Sequence, residues 1–377
     1  MEPKQATKKP TRDYPSYSST PWGLWETMYA RRSHRKYLPV ELSGEFVASL
    51  EDTVRLALEA RGAPEGSIIA VTERRLVDAV KQRSYKGFAN KINIWLARSP
   101  VRCFLVLALP RDDAWGDRPR VLPKASMAAE DVVLWLAEED IGTCWLGGVN
   151  DREVGKVMGL GEDVSVPSII CAGKPRAAVR SGGYDSIIYL GLSRRRKPLT
   201  EIASVENAGR PYRVQDIVKV PFSASSEQQV RPLLEGIVGG SPGGSEAPLE
   251  LLIDACLEAA RVAPNAGNIQ KWEFVIVKEN DGLMALKAAC GSAGTWRAAI
   301  VAAGYSKKIE AGLLDKPFWM IDVPIALSHM SLMAASMGCA FDVCTDDIDE
   351  GAINKLVGLP QSLRTVGVLG LPRGESD

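Results

Sequence analysis

The chain contains an internal repeat, and a repeat of this length favours two similar domains in tandem. Arg61-Gly62-Ala63-Pro64 is matched by Arg261-Val262-Ala263-Pro264, 200 residues further on. Two more matches follow in the same order, at offsets of 199 and 197 residues: Lys156–Leu160 with Lys355–Leu359, and Gly173–Arg176 with Gly370–Arg373. Chance similarity between turns rich in Ala, Gly and Pro is the alternative. Three ordered matches at nearly one offset favour a duplicated domain of about 150–200 residues.

The composition is typical of a globular protein without a strong overall field. The 377 residues are 46% hydrophobic and 24% charged, with 46 basic and 46 acidic side chains. This balance argues against nucleic acid and membrane surfaces as partners, so any basic patch must be local. The seven cysteines lack paired spacing, which predicts reduced thiols and no zinc site. With only His34 and His329, a His-rich metal site or Ser-His-Asp chemistry is nearly excluded.

The N-terminus is polar and basic, with four cations and no apolar core in residues 1–20. We therefore predict a flexible tail there and no secretory signal. The apolar runs are far shorter than the roughly 20 residues that a membrane span needs. Together with reduced thiols, these features predict a cytoplasmic protein.

We predict four segments: a flexible basic tail over residues 1–20, a first copy over 21–222, a linker region over 223–247 and a second copy over 248–377. The linker region follows from Pro221–Pro248, which is rich in Ser, Gly and Pro and holds one short apolar piece, Val230–Val238.

The hydrophobic pattern of each copy predicts an α+β fold, with a central mixed sheet flanked by helices. Thr20-Pro21 is a favourable start for a first helix that reaches Tyr29, and the helical spacing after Leu249 ends at Pro264. Four short apolar runs predict strands: Phe104–Leu109, Ser168–Ala172, Trp272–Val277 and Val366–Leu369. Two apolar segments, Ala128–Asp140 and Ile325–Met337, are predicted to be the central packing helices of the two copies.

The first candidate for chemistry is the basic motif, Arg31–Arg35, which with Lys36 places four cations and a hydroxyl within six residues. Such a cluster can bind a phosphate, because guanidinium groups form bidentate contacts and Ser33 adds a donor. The alternative is a solvated helix end whose positive charge favours the helix dipole. His34 is predicted to be an incidental surface residue, with a substrate contact as its alternative.

The second candidate is the Asn turn, Pro264–Gln270, where a helix stops and a strand begins at Trp272. Its amide side chains at 265, 268 and 270 offer both donors and acceptors, which can bind the edge of a planar heterocycle. A plain loop rich in Asn and Gly is the alternative.

Together these residues resemble the nitroreductase family of flavoenzymes. The family's Arg-Arg-Ser-x-Arg motif is similar to Arg31–Arg35. Its Ala-Pro-Ser-x-x-Asn-x-Gln-Pro-Trp motif is similar to Ala263–Trp272, where Asn265 and Lys271 take the places of Ser and Pro. The resemblance extends from about residue 21 to 377, and the subgroup called TM nitroreductases is the most similar.

Two further segments carry the same resemblance. Ile141–Gly148 resembles the family's loop beside the flavin ring, and we call its last part, Leu146–Gly148, the ring loop. Gly173–Arg176 followed by Arg194–Leu199 resembles the family's basic C-terminal segment, and Arg195–Lys197 is called the basic tail.

The resemblance implies bound flavin mononucleotide (FMN), with NADH or NADPH as co-substrate. It assigns no catalytic side chain, because the flavin carries the chemistry. The implied cofactor-binding residues are Arg31, Arg32, Ser33 and Arg35 at the phosphate, Leu146, Gly147 and Gly148 near the ring, Arg195, Arg196 and Lys197 as assisting groups, and Pro264, Asn265, Ala266 and Asn268 at the ring edge. Lys86 and Lys91 are candidates for a cation beside the ring.

The motifs are divided between the copies. Family members are homodimers in which each flavin takes the basic motif, loop and tail from one subunit and the Asn turn from the other. The first copy has Ala63–Ile68 in place of the Asn turn, without amides. The second has Arg231–Glu235 at the offset of the basic motif and Phe341–Thr345 in place of the glycine-containing loop. We therefore expect an internal pseudo-dimer with one complete site and one FMN per chain.

The implied function is an oxidoreductase with a ping-pong cycle, in which NAD(P)H reduces the flavin and a small electron-poor acceptor then reoxidises it. A nitro compound, a quinone and an enone all remain open as acceptor. The alternative is a protein that binds or stores FMN on this scaffold without turnover. Because the fusion supplies the pairing of the copies, we expect a monomer.

Overall fold

The computed structural model describes residues 23–84, 95–115, 117–176, 196–212, 229–240, 247–306 and 316–372. The first half holds helices α1 (Leu24–Ala30), α2 (Gly44–Ala60), α3 (Arg74–Ser84), α4 (Arg111–Trp115), α5 (Val121–Glu138) and α6 (Asp151–Val157). Its strands are β1 (Ile68–Val71), β2 (Cys103–Leu107), β3 (Leu109–Pro110), β4 (Gly142–Leu146), β5 (Val164–Ser165) and β6 (Ile169–Gly173).

The second half repeats this order. It holds β7 (Ala203–Val205), α7 (Val230–Val238), α8 (Leu249–Val262), β8 (Trp272–Val277), α9 (Asn280–Cys290), β9 (Trp296–Tyr305), α10 (Trp319–Ser336), β10 (Asp342–Cys344), α11 (Glu350–Leu356) and β11 (Leu363–Pro372). The apolar piece Val230–Val238 is thus a helix, and the predicted domain boundaries stay predictions.

The two main sheets have one topology. The first has the strand order β1-β2-β6-β4, and the second contains β8-β9-β11-β10 in the corresponding order. These pairings are antiparallel in both sheets. Strand β7 adds to the second sheet by pairing in parallel with β8, which makes that sheet mixed. The predicted fold class, two tandem α+β domains, is confirmed, although the described strands of the first sheet are all antiparallel and only the second sheet is mixed.

The sequence repeats lie at equivalent places in the two copies. Each pair of matched segments lies at the C-terminal end of equivalent elements. The first pair is at the ends of α2 and α8, the second at the ends of α6 and α11, and the third at the ends of β6 and β11. Gly159 and Gly358 in the second pair have φ of 68° and 62°. A helix commonly ends at a residue in the left-handed conformation, and glycine adopts it without the steric cost that a Cβ imposes. This explains why both copies have Gly here.

The central helices α5 and α10 form the contact between the copies. Nearly all of their side chains are buried, as expected of helices covered on every side. They pack against each other, and each also packs against a helix of its own copy, α2 and α8 respectively. The first helix of each copy crosses over: α1 packs on α8, and α7 packs on α2. The copies are therefore packed against each other with their first helices exchanged.

The predicted boundaries of single elements were less accurate than their existence. Helix α1 begins at Leu24 with Gly23 at its N-cap, and Thr20 and Pro21 lie outside the described residues. The central helices begin seven and six residues earlier than predicted, at Val121 and Trp319. Within the described ranges, no helix is long and apolar enough to cross a membrane.

A buried ion pair at the contact ties α2 to both central helices. Arg61 donates from Nε to Asp131 at 2.6 Å and from Nη2 at 2.9 Å, and its Nη1 donates to Ser331 of α10 at 2.8 Å. Ser328 of α10 also donates to Asp131, at 2.6 Å. Both charged side chains are almost inaccessible, so each compensates the other's lost hydration.

We predict that Asp131→Ala destabilises the protein by about 3–5 kcal/mol, because it leaves the Arg61 charge buried and unpaired. Urea unfolding monitored by circular dichroism measures this. The exposed pair of Arg55 and Asp52 is the control: Asp52→Ala should cost less than about 1 kcal/mol. Equal effects of the two substitutions would contradict the assigned role.

Candidate functional site

The basic motif runs beside strand β4, which ends in the ring loop. Ser33 and Thr143 form a parallel bridge, and the N–H of His34 donates to the Thr143 carbonyl at 2.7 Å. Arg31 is buried, whereas Arg32, Ser33 and Arg35 are partly exposed. The main-chain pairing thus holds two of the predicted segments together within the first copy.

His34 is buried, so its prediction as a surface residue was wrong. Its exposed fraction is 5%, and it lies over Gly142, where a Cβ would come within 2.8 Å of the imidazole. Burial, and then the charges of Arg32, Arg31 and Arg35, lower the pKa of His34 to about 3. The imidazole is therefore neutral at physiological pH and unsuited to acid–base chemistry there.

Arg31 lies against a buried acid of the central helix. Its Nε is 3.7 Å from Oε1 of Glu130, and the described residues provide no hydrogen-bond acceptor for that buried Nε. A buried donor of this kind favours an additional acceptor at the site, such as a phosphate oxygen.

The Asn turn is a strained loop held by its own side chains. Gly267, Asn268 and Gln270 have φ of 60°, 55° and 53°, in the left-handed region. Oδ1 of Asn265 accepts the N–H of Gln270 at 2.8 Å, and Nε2 of Gln270 donates to the Asn268 carbonyl at 3.0 Å. Two non-glycine residues in this region make the turn costly, so the hydrogen bonds stabilise a conformation the chain would otherwise avoid.

The basic tail of the first copy binds the Asn turn of the second. Arg196 donates to the carbonyls of Ala263 and Val262 at 2.8 and 2.9 Å, where helix α8 ends before Pro264. Lys197 donates from its main chain to Oε1 of Gln270 at 2.7 Å and from Nζ to the Gln270 carbonyl at 3.0 Å. These two cations therefore hold the turn. Arg195, Lys86 and Lys91 lie outside the described residues.

The first turn of α10 connects the ring loop with the Asn turn. The Phe318 ring lies directly on Gly147, where a Cβ would be 2.2 Å from Cε1. Four residues on, the Asp322 carboxylate accepts the N–H of Ala266 at 3.0 and 3.1 Å. Four residues of helix span about 6 Å. The ring loop and the Asn turn are thus brought to the same helix end, although they belong to different copies.

Two carboxyl groups at the contact are shifted in the same direction. Burial raises the pKa of Asp322 to about 8, although the Ala266 N–H lowers it. Burial also raises the pKa of Glu138 to about 8, although the Val230 N–H that it accepts has the opposite effect. Glu138 joins α5 of the first copy to α7, whereas Asp322 joins the Asn turn to α10 within the second copy.

The structure corrects the predicted counterparts in the second copy. Arg231–Glu235 lies inside α7, which corresponds to α1, and so it is not equivalent to the extended segment after α1. Asn150 and Asp349 are the N-caps of α6 and α11, so an offset of 199 holds there. At that offset Thr345, Asp346 and Asp347 correspond to the ring loop, rather than Phe341–Thr345.

At this second place, acids replace the two glycines of the ring loop. Asp347 pairs with Arg120 at 2.6 Å, and Asp346 pairs with Lys124. Nearby, Arg118 donates to the Ile348 carbonyl and to Glu350 of α11. Lys316 makes the related contacts at the first place, to the Val149 carbonyl and Asp151. The two contact regions share a framework, and they differ in charge.

A cavity of about 370 Å³ lies in this second region. Its charged lining consists of three cations and three acids, Arg118, Arg120, Arg364, Asp117, Asp347 and Glu350. The Arg364 guanidinium also stacks over Trp319, with 5.6 Å to the ring centroid. Positive and negative lining groups are paired with each other, so the cavity has no excess charge that selects an anion.

Several residues of the site escaped the sequence reasoning: Glu130, Lys316, Phe318, Asp322 and His329. They lie within or just before apolar helices, where the sequence pattern indicates only packing. One sequence signal could have identified Lys316. A basic residue followed by Pro precedes both central helices, at Lys316 before α10 and at Arg118 before α5.

Comparison with known proteins gives consistent findings. A model of the nitroreductase family matches residues 28–174 and 247–295, more than half of the chain. A protein of Archaeoglobus fulgidus named "Putative NADH dehydrogenase/NAD(P)H nitroreductase" is 27% identical over 132 residues, which cover 33% of this chain and 75% of that protein.

Solved structures include an FMN-dependent nitroreductase from Clostridium difficile R20291, 20% identical, with a TM-score of 0.32 and coverage of 44% of this chain and 95% of the other. A nitroreductase family protein from Clostridium novyi NT is 17% identical, with a TM-score of 0.33 and coverage of 50% and 96%.

We predict that the free energy of unfolding falls as pH rises from about 4 to about 8, since Asp322 and Glu138 bind a proton more strongly in the folded than in the unfolded chain. Asp322→Asn and Glu138→Gln keep an oxygen for the N–H donor and remove the titration. Each should flatten the decrease of melting temperature between pH 6 and 8, and the double variant should flatten it further. The exposed Asp281→Asn is the control; unchanged slopes in all variants would contradict the assignment.

Proposed function

The chain belongs to the nitroreductase family, and from this premise we propose that it is an FMN-dependent oxidoreductase. It uses NADH or NADPH to reduce a small electron-poor acceptor, such as a nitro compound or a quinone. One FMN binds per chain, at the contact between the two copies, and the protein acts as a cytoplasmic monomer.

The observation that carries the proposal is that the ring loop of one copy and the Asn turn of the other both contact the first turn of α10. The basic motif is bridged to β4 through Ser33, and the ring loop touches Phe318 of the other copy. The basic tail is bound to Gln270 of the Asn turn. A site assembled in this way needs both copies, as the divided motifs require.

The donor set of the basic motif fits the phosphate of FMN. Arg31, Arg32 and Arg35 supply guanidinium groups and Ser33 a hydroxyl, all in one extended segment fixed against β4. The buried Nε of Arg31 is suited to an anionic oxygen, because charge-assisted hydrogen bonds are the strong ones. In this role Arg31, Arg32, Ser33 and Arg35 bind the phosphate.

The ring loop and the Asn turn fit a planar ring. Gly147 already accepts an aromatic ring, that of Phe318, at a distance that no side chain with a Cβ would allow. Asn268 presents an amide from a backbone conformation that the turn maintains at a cost. We assign the backbone of Leu146, Gly147 and Gly148 to one side of the flavin, and Pro264, Asn265, Ala266 and Asn268 to its polar edge.

The basic tail acts mainly through the turn. Arg196 and Lys197 donate hydrogen bonds to carbonyl and amide oxygens of residues 262–270. We therefore assign them to fixing the Asn turn rather than to contacting a ligand directly. Arg195 keeps its expected role as an assisting cation.

The second place is unsuited to a flavin. Asp346 and Asp347 stand where the first place has Gly147 and Gly148, and they are paired with Lys124 and Arg120. Their side chains take up the space that the glycines leave open at the first place, and a ring could approach only by breaking two ion pairs. This supports one flavin per chain.

The chemistry belongs to the cofactor, which when bound accepts a hydride from NAD(P)H and passes electrons to the acceptor. The protein's residues bind and orient it. The pKa of His34, about 3, keeps that imidazole neutral, and no side chain of the chain is assigned as an acid or base.

We predict that the protein saturates at one FMN per chain, and that Arg32→Ala and Asn268→Ala each abolish tight binding. One substitution lies in each copy, so loss in both identifies a single composite site. Equilibrium dialysis with excess FMN and absorbance of the bound flavin measure the stoichiometry.

Arg231→Ala, in α7 of the second copy, is the control and should retain one equivalent. Two equivalents in the wild type would show that the second place also binds flavin. No bound FMN at saturating concentration would refute the proposal.

The alternative, a protein that holds FMN without turnover, is favoured by the loss of the second site. We predict instead that the FMN-loaded protein oxidises NADH or NADPH steadily when p-benzoquinone is supplied, with parallel lines in double-reciprocal plots as a ping-pong cycle requires. The rate of NAD(P)H absorbance loss measures this. Bound FMN that NADH and NADPH both fail to reduce would support the storage role.

A further inference from the structure

We propose that Glu130, in the central helix of the first copy, is the positioning residue of the flavin site. Its carboxylate fixes the basic motif, the strand of the ring loop and the helix of the Asn turn relative to one another. The inference rests on the proposed function for the identity of the ligand, and on the geometry of the protein alone for the coupling.

Glu130 is fully buried and contacts groups from three elements. Its Oε2 accepts the indole N–H of Trp145 in β4 at 2.8 Å. Its Oε1 lies 3.7 Å from Nε of Arg31 and 3.0 Å from Nε2 of His329 in α10. Both carboxylate oxygens are therefore engaged, each toward a different segment of the proposed site.

His329 continues the contact into the second copy. Its Nδ1 is 3.1 Å from the carbonyl of Ala259, three residues before the end of α8. A carbonyl oxygen only accepts hydrogen bonds, so Nδ1 carries a proton. The hydrogen bond between Nε2 and the Glu130 carboxylate needs a second proton, which lies between these two atoms. The pair thus forms a charge-assisted or proton-sharing link between α5 and the helix that leads into the Asn turn.

The charge of Glu130 also determines where Arg31 can lie. The Arg31 side chain is 6% exposed, and a buried guanidinium needs a nearby anion. Glu130 supplies it at 3.7 Å, a distance too long for a hydrogen bond, which leaves Nε able to meet a phosphate oxygen. The carboxylate therefore holds the guanidinium in place while its donors serve the ligand.

The direction in which FMN affinity changes distinguishes a positioning role of Glu130 from a purely electrostatic one. Removing a negative charge near a phosphate site should tighten phosphate binding if Glu130 acts only through its field. If Glu130 positions Arg31, its loss should weaken binding. The neighbouring Asp131 is the matched control, because it is equally buried and paired, with Arg61 and Ser328, but contacts none of these segments.

The experiment compares Glu130→Gln with Asp131→Asn. The carboxamide has one oxygen, so it can serve Trp145 or face Arg31, but not both, and its NH₂ group opposes the Arg31 donor. We expect the Kd for FMN, measured by flavin fluorescence titration, to rise about ten- to a hundredfold in Glu130→Gln, the effect of losing a charged hydrogen-bonded partner. Asp131→Asn should change the Kd less than about threefold, at a similar loss of melting temperature.

A second readout needs no flavin. Amide hydrogen exchange of the apoprotein should be faster over residues 31–37, 142–149 and 259–270 in Glu130→Gln, and unchanged there in Asp131→Asn. An unchanged or lower Kd for FMN in Glu130→Gln, or unchanged exchange in the three segments, would overturn the inference. If the wild type binds no FMN, the proposed function fails, while faster exchange in these segments alone would still support the positioning role.

Discussion

The two central helices are buried on every side, and this burial is possible only because each covers the other. Residues 125–137 of α5 and nearly all of α10 are buried, and the crossed first helices α1 and α7 complete the cover. Apolar surface removed from water contributes roughly 25 cal/mol per Å². Since neither copy can bury its central helix alone, the copies form one folded unit, and a site at their contact has a fixed geometry.

Polar groups inside this contact serve different purposes. Arg61, Asp131 and the α10 serines form a closed set in which each charge and hydroxyl has a partner. One residue away, Glu130 faces the other way and reaches Trp145, Arg31 and His329. The Arg61–Asp131 set fixes how the copies pack, whereas Glu130 connects this packing to the proposed flavin site.

The two contact regions between the copies share a framework of contacts and differ in their charged residues. Lys316 and Arg118 each reach a carbonyl and an acid of the opposite copy, at related positions. The ring-loop glycines at the first place have Asp346 and Asp347 as counterparts, which are neutralised by cations of α5 and the segment before it. The contact between the copies is thus made at both places, through these ion pairs at the second and through the Phe318 ring on Gly147 at the first.

Properties that depend on nearby residues were available from the sequence: the duplication, the existence of the helices and most strands, the end of α8 at Pro264, and the motifs themselves. Gly159 and Gly358 are of this kind, because a helix end depends on one residue's own φ. Only the tertiary structure decided the burial of His34, the register that pairs Asp346 with Gly147, and the partners of Glu130. Glu130 and His329 are 199 residues apart in the chain, and no periodicity within a helix or strand carries information about a contact made across two packed copies.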